Sequence, residues 1–290
     1  MGREQVIQGQ RVSSEDIAMI AEWLAEFPDW DRTRLSRELC TVWNWHNGAG
    51  RLKDMACRTL LLKLEARGQI RLPPRRTASV NGLRNRSSAE VAHDRSPLEC
   101  PLERLRPLRV EPVEGLAERA LFQFLLQRHH YLGHRNCVGE NVKYLAWDRA
   151  NRPVACLLFG AAAWKVHARD AWIGWEPTVR ERSLFLLANQ ARFLILPWVR
   201  VPHLGSHLLN RSAARLSEDW ENKYGHPIWL VETFVERDRF EGTCYRAAGW
   251  VSAGPTTGRT RNSKGAGPIA PVKEVYLKPL RPDWKRRLAA

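Results

Sequence analysis

The sequence runs to 290 residues, 44% of them hydrophobic, with 46 Lys and Arg against 31 Asp and Glu and a formal net charge of +15. That length and apolar content supply cores for two packed units and point to a folded chain, while the charge calls for a polyanionic partner. No apolar run approaches the roughly 20 residues of a membrane span, and the charged N-terminus lacks a signal-peptide core, so no membrane partner is expected and the expected location is the cytoplasm. Six scattered Cys without a C-x-x-C pair fit reduced thiols in that compartment.

Ser13 and Asp16 form a capping-box pattern, and Ile17, Ile20, Leu24 and Phe27 follow at helical spacing until Pro28 ends the run. Asp29 or Asp31 then caps a second helix carrying Leu35, Leu39 and Val42, and Asn47-Gly48-Ala49-Gly50 breaks the chain. In a third helix Leu52, Ala56, Leu60 and Leu64 share one face and Gly68 is the stop. Gln69 to Leu72 is predicted as a short strand before Pro73-Pro74-Arg75-Arg76. Three helices, a strand and a basic turn match the winged-helix form of helix-turn-helix over residues 1–74. Its third helix would enter the major groove, with Arg51, Lys53, Arg58, Lys63, Arg75 and Arg76 against DNA. The alternative is a helical interaction module whose cations are ordinary solvated charges.

Residues 75–114 mix Arg with Pro, Ser and Asn and read as a basic linker able to track phosphates. A second domain is expected over 115–290. Its predicted elements are a helix at 116–128, strands at 144–147, 154–159 and 193–196, a long helix at 204–224 and a strand at 228–235. Strands alternating with helices indicate α/β.

In the last of those strands the period of two places Glu232 on the face of Leu230 and Phe234. A desolvated carboxylate there suits a general acid/base, a metal ligand or a pair with a neighbouring Arg. Thr243, Cys244 and Tyr245 open a short helix that Gly249 ends, a position that favours anions and lowers a thiol pKa. Tyr245 is therefore a candidate phosphate contact or nucleophile, Cys244 a candidate reactive thiol, and both also read as packed residues. His129, His130, His134 and Cys137, with His203 and His207, raise zinc, although the spacing lacks paired knuckles and the metal stays unknown. Trp172 and Trp175, near Arg169, suit either base stacking or a core. From Thr257 onward nine Lys and Arg, among them Arg259, Arg261 and Lys273, face only Glu274 and Asp283; Val275 to Leu277 read as a final strand.

Arg169-Asp170, Ile173-Gly174-Trp175, Arg192-Phe193-Leu194-Ile195-Leu196-Pro197-Trp198-Val199, Glu232-Thr233-Phe234-Val235 and Gly242-Thr243-Cys244-Tyr245-Arg246-Ala247-Ala248 together resemble the DruA family over most of 115–285. The stretch 57–65 also looks like that family. The family is named for the Druantia anti-phage system, and related proteins occur with mobile elements and transposases. The resemblance implies work on DNA, either strand cleavage or joining by this chain or targeting of a partner nuclease, helicase or transposase. For a strand-processing site the candidates are Glu232, Tyr245, Asp170, Lys273 and Cys244, with Mg²⁺ if carboxylates converge on a phosphate. Arg169, Arg192, Thr243, Arg246, Arg259 and Arg261 are candidate DNA contacts.

The order strand, helix 204–224, strand, then a short helix ending Tyr245-Arg246-Ala247-Ala248-Gly249-Trp250 is also similar to the GNAT acyltransferase fold. The expected fold class is thus α/β (α+β), a GNAT-like mixed sheet behind a small winged-helix-like domain. Val201-Pro202-His203-Leu204-Gly205-Ser206-His207 lacks the full Q/R-x-x-G-x-G/A turn of the enzymes, which leaves acyl transfer as an alternative only.

Overall fold

Ser13 Oγ accepts the Asp16 N–H at 3.1 Å while Asp16 Oδ2 accepts the Ser13 N–H at 2.8 Å, so the capping box read in the sequence is closed. The chain is described here by a computed structural model over residues 4–75, 89–134, 137, 139–258 and 270–289. It divides into two units, Met1–Arg84 and Asn85–Ala290.

In the first unit a hairpin of β1 (Gln5–Ile7) and β2 (Gln10–Val12) precedes α1 (Ser14–Glu26), α2 (Arg32–Val42) and α3 (Asp54–Ala66). Asp31 caps α2 by accepting the Thr33 and Arg34 N–H groups. Asp16 also accepts the Trp43 indole N–H at 2.9 Å, which fixes the end of α2 against the start of α1. Ile20, Leu35, Leu39, Leu60 and Leu64 meet in the core. On α3 the buried stripe runs through Cys57 rather than Ala56, and Gly68 ends the run in the left-handed region at φ +71°.

Residues 69–72 form no strand. Ile70 and Leu72 are buried in the helical core, the Leu72 N–H donates to Glu65 Oε1 at 3.1 Å, and Arg32 Nε donates to Pro73 O at 2.7 Å. With side chains satisfying this backbone, no second strand is needed beside it. The hairpin of this unit lies ahead of α1, so the strand-and-turn wing expected after α3 is not formed among the described residues.

The second unit begins earlier than the composition suggested. β3 (Leu98–Glu99) pairs in parallel with β8 (Val199–Arg200), and β4 (Arg109–Pro112) is an edge strand of the main sheet. Leu98, Leu105, Leu108 and Val110 are core residues, so much of the stretch expected as a linker is packed structure. Then follow α4 (Leu116–His129), β5 (Asn141–Trp147), β6 (Pro153–Ala161), α5 (His167–Ile173), α6 (Pro177–Ser183) and β7 (Leu187–Ile195). After β8 come α7 (Leu204–Tyr224), β9 (Leu230–Glu236), α8 (Thr243–Ala247), β10 (Val251–Pro255), β11 (Lys273–Pro279) and α9 (Trp284–Ala289).

Among the described residues seven strands form one mixed sheet in the order β10-β11-β9-β7-β6-β5-β4. Every neighbouring pair is antiparallel except β7 and β9, and α7 makes the crossover that a parallel pair requires. The order β7, α7, β9, α8 is the one the GNAT resemblance implies. Trp172 stacks on Trp284 with ring planes 11° apart, and the Trp175 indole donates to Asp170. Both belong to the cluster under α5 and α9, so of their two readings the structure adopts the packed one.

Replacing Ser13 with Ala removes half of the reciprocal cap. Chemical denaturation of the full chain should show a loss of about 1 kcal/mol in the transition of the first unit.

Candidate functional site

The parallel ladder between β7 and β9 lasts only from Leu187–Asn189 on one strand to Leu230–Glu232 on the other. Beyond it the strands separate, while the opposite edge of β7 stays paired with β6 to Ile195 across a bulge between Arg192 and Gln190. Thr233 Oγ1 donates to Gln190 O at 3.0 Å and closes the apex. The separation opens a cleft of about 930 Å³ lined by residues 129–132, 189–195, 233–235, 239–245 and Lys273. It lies at the carboxyl ends of the two parallel strands, where ligands bind in open α/β sheets.

Two glycines shape its floor. Gly242 holds φ +71°, and a Cβ there would lie 2.5 Å from Tyr276 Oη, so this position requires glycine. A Cβ on Gly205, in the first turn of α7, would stand 3.1 Å from the Cys244 Cβ. Tyr245 is buried, stacked on Tyr276 with centroids 5.7 Å apart and edge-on to Phe193. Burial pushes its hydroxyl well above the ordinary range, so it keeps its proton.

Cys244 also differs from expectation: burial pushes its thiol up rather than down. The five-residue α8 supplies too little aligned backbone to outweigh the lost hydration. Thr243 and Arg246 are exposed, and Arg246 donates to Glu241 O and to Tyr276 Oη. Arg192 lines the cleft with its guanidinium held by Gly133 O at 3.0 Å and Ala191 O at 2.6 Å.

At the mouth Tyr131 and Phe240 are 41% and 51% exposed, with centroids 5.5 Å apart, and the Arg239 guanidinium lies 5.1 Å from the Tyr131 centroid. At the apex Gln190 is 3% exposed. Neither its Oε1 nor its Nε2 has a hydrogen-bond partner among the described residues, and nor does Asn189 Oδ1. Gln190, Asn189, Tyr131, Phe240 and Arg239 were not singled out by sequence reasoning. The available signal was an Asn-Gln pair inside an otherwise apolar strand start, Leu187-Ala188-Asn189-Gln190.

His130, also on the cleft wall, is pushed down to about 4 by burial and the nearby Arg192. Its Nδ1 accepts the Leu132 N–H at 3.1 Å, so the neutral ring carries its proton on Nε2. The unfolded chain takes up that proton first, near the ordinary 6.5, so stability falls as pH drops from there toward about 4. Thermal melts at pH 7 and pH 5 should show a lower Tm at pH 5, and His130→Gln should narrow the difference.

Glu232 and Arg169 sit outside the cleft and are both fully buried. Arg169 Nη1 donates to Glu232 Oε2 at 2.8 Å and to Ala163 O at 2.7 Å, Nε donates to Asp170 Oδ1 at 2.9 Å, and the Ala163 N–H donates to Glu232 Oε1 at 2.7 Å. Burial pushes the Glu232 carboxyl up, and Arg169 and the Ala163 amide oppose it. Asp170 also faces Arg180 at 3.7 Å. Of the readings open for Glu232, the geometry realises the ion pair. A guanidinium between two carboxylates repels a dication, so these residues do not fit Mg²⁺. Arg169, expected on DNA, has no surface to offer a ligand.

Among the described residues no group of three or more His, Cys, Asp and Glu is placed to hold a metal ion. In the first unit Arg51, Lys63 and Arg75 are exposed and Lys53 is half-buried, while Arg58 pairs with Asp54 at 2.6 Å. Arg76, Arg259 and Arg261 lie outside the described residues. No helix among those residues is long and apolar enough to cross a membrane.

Because Glu232 is a buried ion-pair partner, Glu232→Ala should lower unfolding free energy by about 3–5 kcal/mol. A catalytic carboxylate would instead leave the denaturation midpoint near that of the parent.

No curated protein matches this sequence. Among solved structures it is similar to the spermidine N-acetyltransferase of Vibrio cholerae in complex with CoA and spermine, at 10% identity over 58% of this chain and 94% of that one, with a TM-score of 0.39. It is also similar to nourseothricin acetyltransferase, at 10% identity over 60% of this chain and 99% of that one, with a TM-score of 0.36. The family model described as Druantia protein DruA matches residues 79–287, a span that starts upstream of 115, omits 57–65 and contains every wall of the cleft. The chain therefore belongs to the DruA family, that of the Druantia anti-phage defence system.

Proposed function

We propose that this protein is the DNA-recognition component of an anti-phage defence system and engages DNA through the cleft at the β7–β9 separation. The observation that carries the reading is the make-up of that cleft. Of its described lining residues Arg192, Arg239 and Lys273 are Arg or Lys and Glu241 alone is acidic; Arg239, which also pairs with Glu236 at 3.0 Å, stands beside the exposed Tyr131. Cations that track phosphates next to rings that accept stacked bases are the two parts of a nucleic-acid site. The exposed Arg51, Lys63 and Arg75 of the first unit add sequence-independent attraction.

On this reading the chain targets a partner nuclease, helicase or transposase, which processes the DNA. Glu232 and Asp170 are engaged by Arg169, and Tyr245 holds its proton, so a phenolate attack on phosphorus lacks a base. On this reading Tyr245, Cys244 and Thr243 form a wall of the site and Lys273 meets phosphate.

The test is incubation of the full chain with labelled single-stranded and duplex DNA, with and without Mg²⁺, followed by anisotropy and denaturing electrophoresis. Salt-sensitive binding without cleavage or adduct is expected. Arg239→Ala and Lys273→Ala should each reduce the slope of log K against log salt on duplex by about 0.9. A product or covalent adduct that disappears in Tyr245→Phe would move the chemistry into this chain.

A second reading, acyl transfer, has one specific observation in its favour. In Arg200-Val201-Pro202-His203-Leu204-Gly205 the residue standing where the turn pattern has its first glycine is His203, and it holds φ +62° at the N-cap of α7. The left-handed turn thus persists without the glycine. Thermal stabilisation by acetyl-CoA would support this reading, and an unchanged Tm would remove it.

A further inference from the structure

Gln190 is 97% removed from solvent, yet both polar atoms of its carboxamide lack hydrogen-bond partners among the described residues. Buried donors and acceptors are almost always paired, because leaving one unpaired forfeits its hydration for nothing. Gln190 lines the apex of the cleft, and its own carbonyl is already occupied by Thr233, so the amide side chain is the uncommitted group there. Asn189, beside it, adds a second unpartnered oxygen.

A carboxamide presents one donor and one acceptor side by side, an arrangement that the edge of a nucleobase matches; glutamine pairs in this way with N6 and N7 of adenine. The rest of the cleft is graded to suit such a ligand. Phe193 and Tyr245 are ring walls around the inner part, the exposed Tyr131–Phe240 pair stands at the mouth with Arg239, itself paired with Glu236, beside Tyr131, and Lys273 is a further cation of the lining. A base inside a duplex cannot reach a recessed amide, so the nucleotide must be unpaired or turned out of the stack.

We infer that the cleft is a pocket for a single unpaired DNA base, adenine by preference, with Gln190 reading its edge and Tyr131 and Phe240 stacking on the nucleotide at the entrance. This rests on the DNA-recognition reading above and adds its substrate class: DNA with an unpaired or extrudable nucleotide.

The experiment measures binding of the full chain to three duplexes of one sequence: fully paired, carrying one unpaired adenine, and carrying an unpaired abasic site there. The adenine duplex should bind about tenfold or more tighter than the abasic one, the ratio a bidentate base contact supplies. Gln190→Leu should erase that ratio by bringing affinity for the adenine duplex down to that for the abasic one. Should Gln190→Leu fold poorly, Tyr131→Ala and Phe240→Ala, both at exposed positions, should lower the ratio about fivefold by removing the stack. Free adenosine monophosphate should compete with the adenine duplex and leave the abasic one bound.

Equal binding of the adenine and abasic duplexes overturns the pocket but leaves DNA recognition standing. Absence of binding to all three overturns the DNA-recognition reading itself. Stabilisation by acetyl-CoA that Gln190→Leu abolishes assigns the cleft to an acyl donor and overturns the pocket.

Discussion

Three residues of parallel pairing, Leu187–Asn189 against Leu230–Glu232, hold the two halves of the main sheet together. A longer ladder would have filled the space with backbone hydrogen bonds and left no cleft, and a shorter one would have left β9, β11 and β10 without a seam to β6. The pair is parallel, so its connection must cross over through α7, which brings the first turn of that helix so close to α8 that a Cβ on Gly205 would stand 3.1 Å from the Cys244 Cβ. The cleft's position follows from strand direction, and its floor follows from the two glycines that let helix and strand approach.

The other face of the seam is closed by charge. Arg169 ties Glu232, at the last paired residue of β9, to the Ala163 carbonyl after β6 and to Asp170 on α5. A buried ion pair adds little net stability over a well-packed apolar pair, but losing one member leaves the other charge unpaired. Its effect is therefore on geometry. It fixes where β9 stops following β7, and so where the cleft begins, although none of its members touches the cleft.

Elements with a local cause were legible in the sequence. The capping box at Ser13, the Asp31 cap, the Gly68 stop and the long helix from Leu204 each depend on residues a few positions apart. β4 and β10 were not legible, because an edge strand such as Arg109–Pro112 carries its apolar signal on alternate residues of a very short run, and its existence depends on β5. The strand face correctly marked Glu232 as desolvated. Its partner lies 63 positions away in sequence, and periodicity carries no information about that. Cys244 shows the limit of a local argument in the other direction: the helix-terminus effect was right in sign, but α8 is short and packed, and desolvation is the larger effect.

Gln190 escaped notice for the same reason. A glutamine in a strand is unremarkable until its pairing can be counted, and only the tertiary structure shows that both of its polar atoms are buried without partners. The division of polarity in the cleft then bears on what enters it. Burying a charge costs far more than burying a neutral amide, so a ligand that places a neutral flat group at the apex and its anionic group at the mouth matches both ends, and the reverse orientation matches neither. DNA recognition separates in the same way, since phosphate contacts position the molecule and base edges specify it. On the proposed reading the cations serve any polyanion, whereas the paired donor and acceptor of Gln190 distinguish one nucleotide from another, and selectivity would reside at the apex.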